Sequence, residues 1–288
     1  MVMKKEYESL IYSEKQLVTF YNTFFSQADP FYTDFFCLAA RKKYMTEEQK
    51  RAINLGDTCM MFKTILKEYD VNKFLSKIKQ ADASASFFTD RDGNYIPRSC
   101  FAFYMNINKT NVLKAIKEFK DQLNCWEYDL TSAVLFNNTN KRENLSKQIK
   151  TVQNDLLKSF QDPKNVEGPW VDIDCDIGVV SEEIAIKYKE KLMDYLSGTD
   201  VYIIRTHGGC HIVFDKTLIS SYNRHLAEVC SPREMKGKVI TFESLIEYVR
   251  KMVSKDFSKS VITEIKYNQN LAVPIPGTLQ GGFPVSIT

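Results

Sequence analysis

The residues with the plainest chemistry in this 288-residue chain are Asp172, Asp174 and Asp176, at alternate positions of Trp170-Val171-Asp172-Ile173-Asp174-Cys175-Asp176. Side chains in a strand alternate between faces. The three carboxylates therefore project to one side, and Val171, Ile173 and Cys175 to the other. The apolar side suits a helix layer. The acidic side cannot be core, because carboxylates without counter-charge repel one another and resist burial. One or two hard divalent cations, which prefer oxygen ligands, would answer that need. Two such ions can hold the attacking and leaving oxygens of an in-line phosphoryl displacement and neutralise a triphosphate. The plain alternative is a solvated edge strand that uses acids against aggregation.

A second constellation is Arg205-Thr206-His207-Gly208-Gly209-Cys210-His211, which joins the apolar runs Val201–Ile204 and Ile212–Phe214. Paired glycines at a strand junction permit close approach of another group to the backbone, and N–H groups in such a turn can cradle phosphate oxygens. Two of the chain's three histidines lie here. His211 begins a strand, whose rigid backbone would aim its ring at a phosphate and stabilise developing charge. Arg205 and Thr206 are further phosphate-binding candidates. A tight hairpin with incidental histidines is the other reading.

These residues need a scaffold, and hydrophobic patterning predicts an α/β (α+β) architecture with a two-layer core around a mixed or antiparallel sheet. Residues 1–95 read as a helical accessory region, with helices near Leu10–Phe25, Thr46–Lys67 and Val71–Ala81. The turn Asp90-Arg91-Asp92-Gly93-Asn94 precedes a change of texture, so residues 96–288 read as a separate core. That core opens with a strand at 100–105 and a helix capped by Thr110. An amphipathic helix over 141–161 follows, then strands at 169–175, 200–205 and 210–214, helices at 182–197 and 241–254, and two closing strands near 259–267 and 271–275.

Composition sets outer bounds. Hydrophobic residues at 44% and charged residues at 26% indicate a packed globular chain. Seven scattered cysteines without a Cys-x-x-Cys pair argue against a zinc ribbon or disulfide framework and for a reduced, cytoplasmic setting. No run suggests a membrane span or a secretory leader. The net charge of +3 leaves room for a local basic cleft.

Taken together, the acidic strand and the histidine turn resemble the archaeo-eukaryotic primase superfamily, which includes primase-polymerases of phages and plasmids. Its first motif is an apolar strand ending in Asp-x-Asp, matched by Trp170–Asp174. Its second is a small-residue turn leading to a histidine, matched by Thr206–His211. The tail Asn270–Gly282 looks like the Pro-Gly-Thr segment beyond its third motif. The resemblance spans roughly residues 96–288. It implies metal-dependent, template-directed nucleotidyl transfer from nucleoside triphosphates to a 3′-hydroxyl, with Mg²⁺ or Mn²⁺ on Asp172, Asp174 and a third acid. Glu264 is the choice for that acid by position, and Asp176 is its substitute. Arg205, Thr206, Gly208, Gly209, His211 and Lys266 would hold the nucleotide. Gly209 stands where the histidine motif often carries Ser or Thr, and no zinc module is visible.

The implied partners are a single-stranded DNA template with its primer, nucleoside triphosphates and a separate helicase, since the chain has no phosphate-binding Gly-x-x-x-x-Gly-Lys-Ser/Thr loop. Arg233, Lys236 and Lys238 could add phosphate contacts. Two other functions use the same residues: a metal-dependent nuclease or phosphodiesterase, and a non-catalytic nucleic-acid-binding protein.

Overall fold

Ten successive residues, Tyr32–Arg41, form a strand (β1) around which the N-terminal half is organised. The computed structural model describes residues 8–25, 31–66, 70–148, 152–196, 200–230, 239–257, 261–267 and 272–288, with 261–267 described as backbone. Strand β1 pairs antiparallel with β2 (Thr58–Leu66) along one edge and with β3 (Phe101–Asn106) along the other. The start of β1 also pairs with β4 (Lys109–Asn111), which pairs with β5 (Val166–Glu167). Alternation places Phe36, Leu38 and Ala40 on one face of β1, where they pack on helices α1 (Glu14–Phe24) and α3 (Val71–Ser84) through Leu17, Phe20, Phe74 and Ile78. Fully burying such side chains stabilises by roughly 1.5–3 kcal/mol each. Side-chain caps from Ser13 and Asp70 satisfy the first N–H groups of these helices.

The second sheet holds the acidic strand. Strand β6 (Trp170–Asp176) lies between β8 (Cys210–Asp215) and β9 (Val261–Tyr267), and β7 (Val201–Arg205) pairs with β8. All these pairings are antiparallel. Val171, Ile173 and Cys175 meet Ala185, Tyr188 and Leu192 of α7 (Glu182–Tyr195) and Leu245 and Val249 of the helix Phe242–Ser254. The expected division of β6 into an apolar face on helices and an acidic face therefore holds, and so does the α/β class with an antiparallel sheet.

The same division brings the two sheets together. Ile204 and Val213, on the acidic face of the second sheet, belong to the core of the first. Phe24 of α1 packs edge-on against Trp170 and Tyr202, with ring centroids 4.8 and 5.3 Å apart. The C-terminal segment ties the seam, because Ala272–Pro274 (β10) pairs with β3 while Ser286–Ile287 pairs with β7. Between them, the Gly277 carbonyl accepts the Tyr12 and Ser13 N–H groups at 2.9 and 3.1 Å. A Cβ on Gly277, whose φ is +94°, would lie 2.4 Å from the Ser13 carbonyl oxygen. The Pro-Gly-Thr segment is thus a buried packing turn.

Four sequence expectations need correction. Residues 1–95 do not form a separate helical region: β1 and β2 are strands of the sheet that contains β3 and β10, so a boundary at 95 would cut one sheet in two. The helix expected over Thr46–Lys67 stops early. Thr46 caps α2 (Glu47–Ala52), the chain leaves the helix at Ile53, and Thr58–Leu66 pairs with β1. Pairing with a long apolar partner outweighs helix-like spacing in a run of Thr, Met, Phe and Ile. Asn111, not Thr110, caps the helix Val112–Leu135. The stretch 141–161 carries two helices, Thr139–Gln148 and Val152–Gln161. Among the described residues no helix is long and apolar enough to cross a membrane.

Candidate functional site

Where the second sheet meets the edge of the first, the C-terminal half of β6 is left uncovered by the α1 packing. A cleft opens there. Asp174, Asp176, Thr206, Gly208 and His211 line one wall. Arg41, Lys43, Tyr104, Ala272, Pro274 and Gln280 line the other. Its volume is about 220 Å³. Pockets that enclose a drug-sized ligand span roughly 300–1,000 Å³, so this one suits phosphate groups with an ion, leaving the rest of a nucleotide outside.

The acidic wall is built by register. Antiparallel pairing sets His211 opposite Asp174 and Val213 opposite Asp172. The His211 ring leans back along the strand, so that Nδ1 donates to both carboxylate oxygens of Asp172 at 3.0 Å. Its Nε2 lies 4.0 Å from Asp174 Oδ1. Burial pushes the His211 imidazole down, but the Asp172 charge and hydrogen bond, with Asp174 behind them, outweigh it and raise the group to about 9. At neutral pH the ring is an imidazolium, with both nitrogens donating. Nδ1–H is spent on Asp172, which leaves Nε2–H for the cleft.

The three acids consequently have different jobs. Asp172 is 1% exposed, faces His211 and does not reach the cleft wall. Asp174 is partly exposed, and Asp176 is exposed at the cleft mouth. The acids that open on the cleft are Asp174 and Asp176, while His211 engages both oxygens of Asp172. Glu264 stands opposite Asp174 and Lys266 opposite Asp172 in the β6–β9 register, while their side chains lie outside the described residues, as do Arg233, Lys236 and Lys238.

The turn sorts just as clearly. Thr206 N–H donates to the Gly209 carbonyl at 2.9 Å, closing the chain over His207 and Gly208. A Cβ on Gly209 would lie 1.9 Å from the Cys175 carbonyl oxygen, so this glycine lets the turn nest on the end of β6. Gly208 borders the cleft beside the Asp176 carboxylate. Arg205 needs correction. Strand alternation turns it to the helix-covered face, where Nε donates to the Val180 carbonyl at 2.9 Å and Nη1 to Ser286 Oγ at 3.3 Å. It ties β7 to its neighbours and does not line the cleft.

The opposing cations were missed in the sequence. Arg41 ends β1 and Lys43 lies in the single 3₁₀ turn Lys42–Tyr44. Arg41 Nη1 donates to Tyr104 Oη at 2.9 Å, and its Nε is buried without a partner. Partial burial and Arg41 lower the Lys43 ammonium, whereas Asp176 and Asp174 pull it back up. The run Arg41-Lys42-Lys43 directly after the apolar stretch Phe35–Ala40 was the available clue.

A divalent cation fits this donor set in part. Asp174 and Asp176 offer hard oxygens on one strand face, and Mg²⁺ is commonly held by one or two carboxylates with waters and phosphates completing its shell. Among the described residues no group of three or more His, Cys, Asp or Glu side chains is arranged to hold a metal by itself. No protein-family model, characterised relative or solved structure matches the chain.

Proposed function

We propose that the chain is a metal-dependent nucleotidyltransferase of the primase-polymerase type, which extends a 3′-hydroxyl with nucleoside triphosphates on a single-stranded template. The observation that carries this reading is the pairing of a carboxylate wall, Asp174 and Asp176, with a cationic wall, Arg41 and Lys43, across a cleft sized for phosphates. Bound Mg²⁺ or Mn²⁺ on the two acids would neutralise phosphate charge and activate the attacking oxygen. Arg41 and Lys43 hold the outer phosphates through charge-assisted hydrogen bonds. The His211 imidazolium donates Nε2–H to a phosphate oxygen, and Asp172 keeps that ring charged and oriented. Thr206 and the Gly208 backbone complete the cradle. Rate enhancement then comes from positioning and charge neutralisation.

The test is nucleotide incorporation on a primed template with Mn²⁺ or Mg²⁺, comparing the wild type with Asp174→Asn/Asp176→Asn. Loss of product in the double variant is expected, and undiminished incorporation would remove the assignment. A second reading is favoured by the place of His211 in the cleft wall: a histidine there can also protonate the leaving oxygen of a phosphodiester, as a nuclease requires. Labelled DNA incubated with metal but no nucleotides separates the two, since only a nuclease shortens the strand.

A further inference from the structure

The cationic wall of the cleft does not end at the cleft. Arg41 and Lys43 also line a neighbouring surface hollow together with Lys42, Lys50, Asp57 and Thr58. Lys42 and Lys50 in turn line a second hollow with Arg51, Asn54 and Asp92. The three depressions share side chains and so form one path; the two hollows beyond the cleft set five basic residues against two acids, Asp57 and Asp92, while the cleft adds Asp174 and Asp176. Glu47 offsets part of this by pairing with Lys50 at 2.7 Å. None of the hydrophobic-core clusters needs these side chains.

An exposed aromatic residue directly follows one that is tied to the far end. Asn94 Nδ2 donates to the carbonyl of Ala52, a residue that lines the second hollow. The next residue, Tyr95, is 66% exposed although its backbone is held in a bridge with Thr89. A basic groove with an exposed aromatic platform is the combination that binds single strands, because unpaired bases offer a face to stack on and a duplex does not.

We propose that Lys42, Lys50 and Arg51 carry the phosphodiester backbone of a single-stranded polynucleotide toward the cleft, with Tyr95 stacking on one of its bases. This rests on the nucleotidyl-transfer reading for its purpose but not for its test. The probe is a fluorescein-labelled oligodeoxythymidine of sixteen nucleotides, titrated with the full-length protein without metal or nucleotide and followed by anisotropy over a range of salt concentrations. Each phosphate contact on a single strand contributes about 0.7 to the slope of log K against log[salt]. Lys42→Gln/Lys50→Gln/Arg51→Gln should therefore flatten the slope by about 2 and weaken binding at least about tenfold at moderate salt. Tyr95→Ala should weaken it by about tenfold with little change of slope. A control variant, Lys141→Gln/Lys147→Gln/Lys158→Gln, removes the same charge from the helices at 139–161 and should behave as wild type.

Unchanged affinity and slope in the track variant would overturn the proposal. So would an equal loss in the control, or a duplex of the same length that binds as tightly and loses affinity by the same factor. Unfolding midpoints of all variants guard against a folding defect. Incorporation by wild type with no effect of the track variants leaves the catalytic reading standing and removes this one. Track-dependent binding without incorporation does the reverse.

Discussion

His211 Nδ1 lies 3.0 Å from each carboxylate oxygen of Asp172, which is buried behind the cleft wall that His211 lines. A buried histidine alone would be held neutral. Here the adjacent carboxylate reverses that, and the pair delivers a charged N–H to the cleft. Asp172→Asn keeps the shape and removes the charge. The His211 titration, followed by NMR, is expected to fall from about 9 to the usual 6.5 or below, because burial is then opposed mainly by Asp174. A histidine raised in the folded state stabilises fully below 6.5, and this is lost as pH rises through about 9. The stability gap between wild type and variant should accordingly be wider at pH 6 than at pH 9.5. A titration that does not move would show that Asp172 is not what holds the proton.

Asp174 and Asp172 should separate in function. Asp174→Asn changes a partly exposed carboxylate at the cleft and is expected to lower incorporation by about a hundredfold or more with little effect on the unfolding midpoint. Asp172→Asn should cost both activity and stability. Thermal unfolding beside single-turnover incorporation checks the split, and equal stability loss in the two variants would contradict it.

Gly209 is required by contact. Any side chain there starts with a Cβ 1.9 Å from the Cys175 carbonyl oxygen, so Gly209→Ala must push the histidine turn off β6. The expected loss is about 3 kcal/mol. Gly93→Ala, at a turn with φ +85° and open space around it, serves as the comparison and should lose only about 1 kcal/mol. Urea unfolding of both variants measures the difference.

Asp34 is a buried liability in the first sheet. It is 2% exposed, and its Oδ1 has no hydrogen-bond partner. Burial pushes its carboxyl up to about 7, with Lys109 opposing. Because the folded state prefers the protonated form, there is no penalty below the unfolded value of 3.8; it grows up to about pH 7 and is constant above. Asp34→Asn should thus be more stable than wild type by about 1–3 kcal/mol at pH 8, with the gap closing near pH 4. Denaturant unfolding at pH 4, 6 and 8 reads this, and a variant no more stable than wild type at pH 8 would refute it.

Local pattern went furthest where local physics decides. The alternation of Asp172, Asp174 and Asp176 with Val171, Ile173 and Cys175 already dictated a strand with one face on helices, and α7 and the helix Phe242–Ser254 cover that face. Apolar spacing also predicted α1, α3, α7 and the strands that flank the histidine turn. Spacing failed at β2, since a run of Thr, Met, Phe and Ile after a helix cap becomes a strand only because β1 is there to pair with it.

What the sequence determined by itself is the acidic face, the glycine turn and their order along the chain, since period-two alternation and backbone crowding at Gly209 depend on near neighbours. Tertiary structure alone decided which acids reach the cleft. Register across β6 and β8 puts His211 within reach of Asp172, and a buried carboxylate takes the nearest donor, so Asp174 and Asp176 are the pair left facing outward. The facing cations were equally out of reach, because Arg41 and Lys43 are 131 or more positions away in the chain and meet the acids only where the edges of two sheets converge.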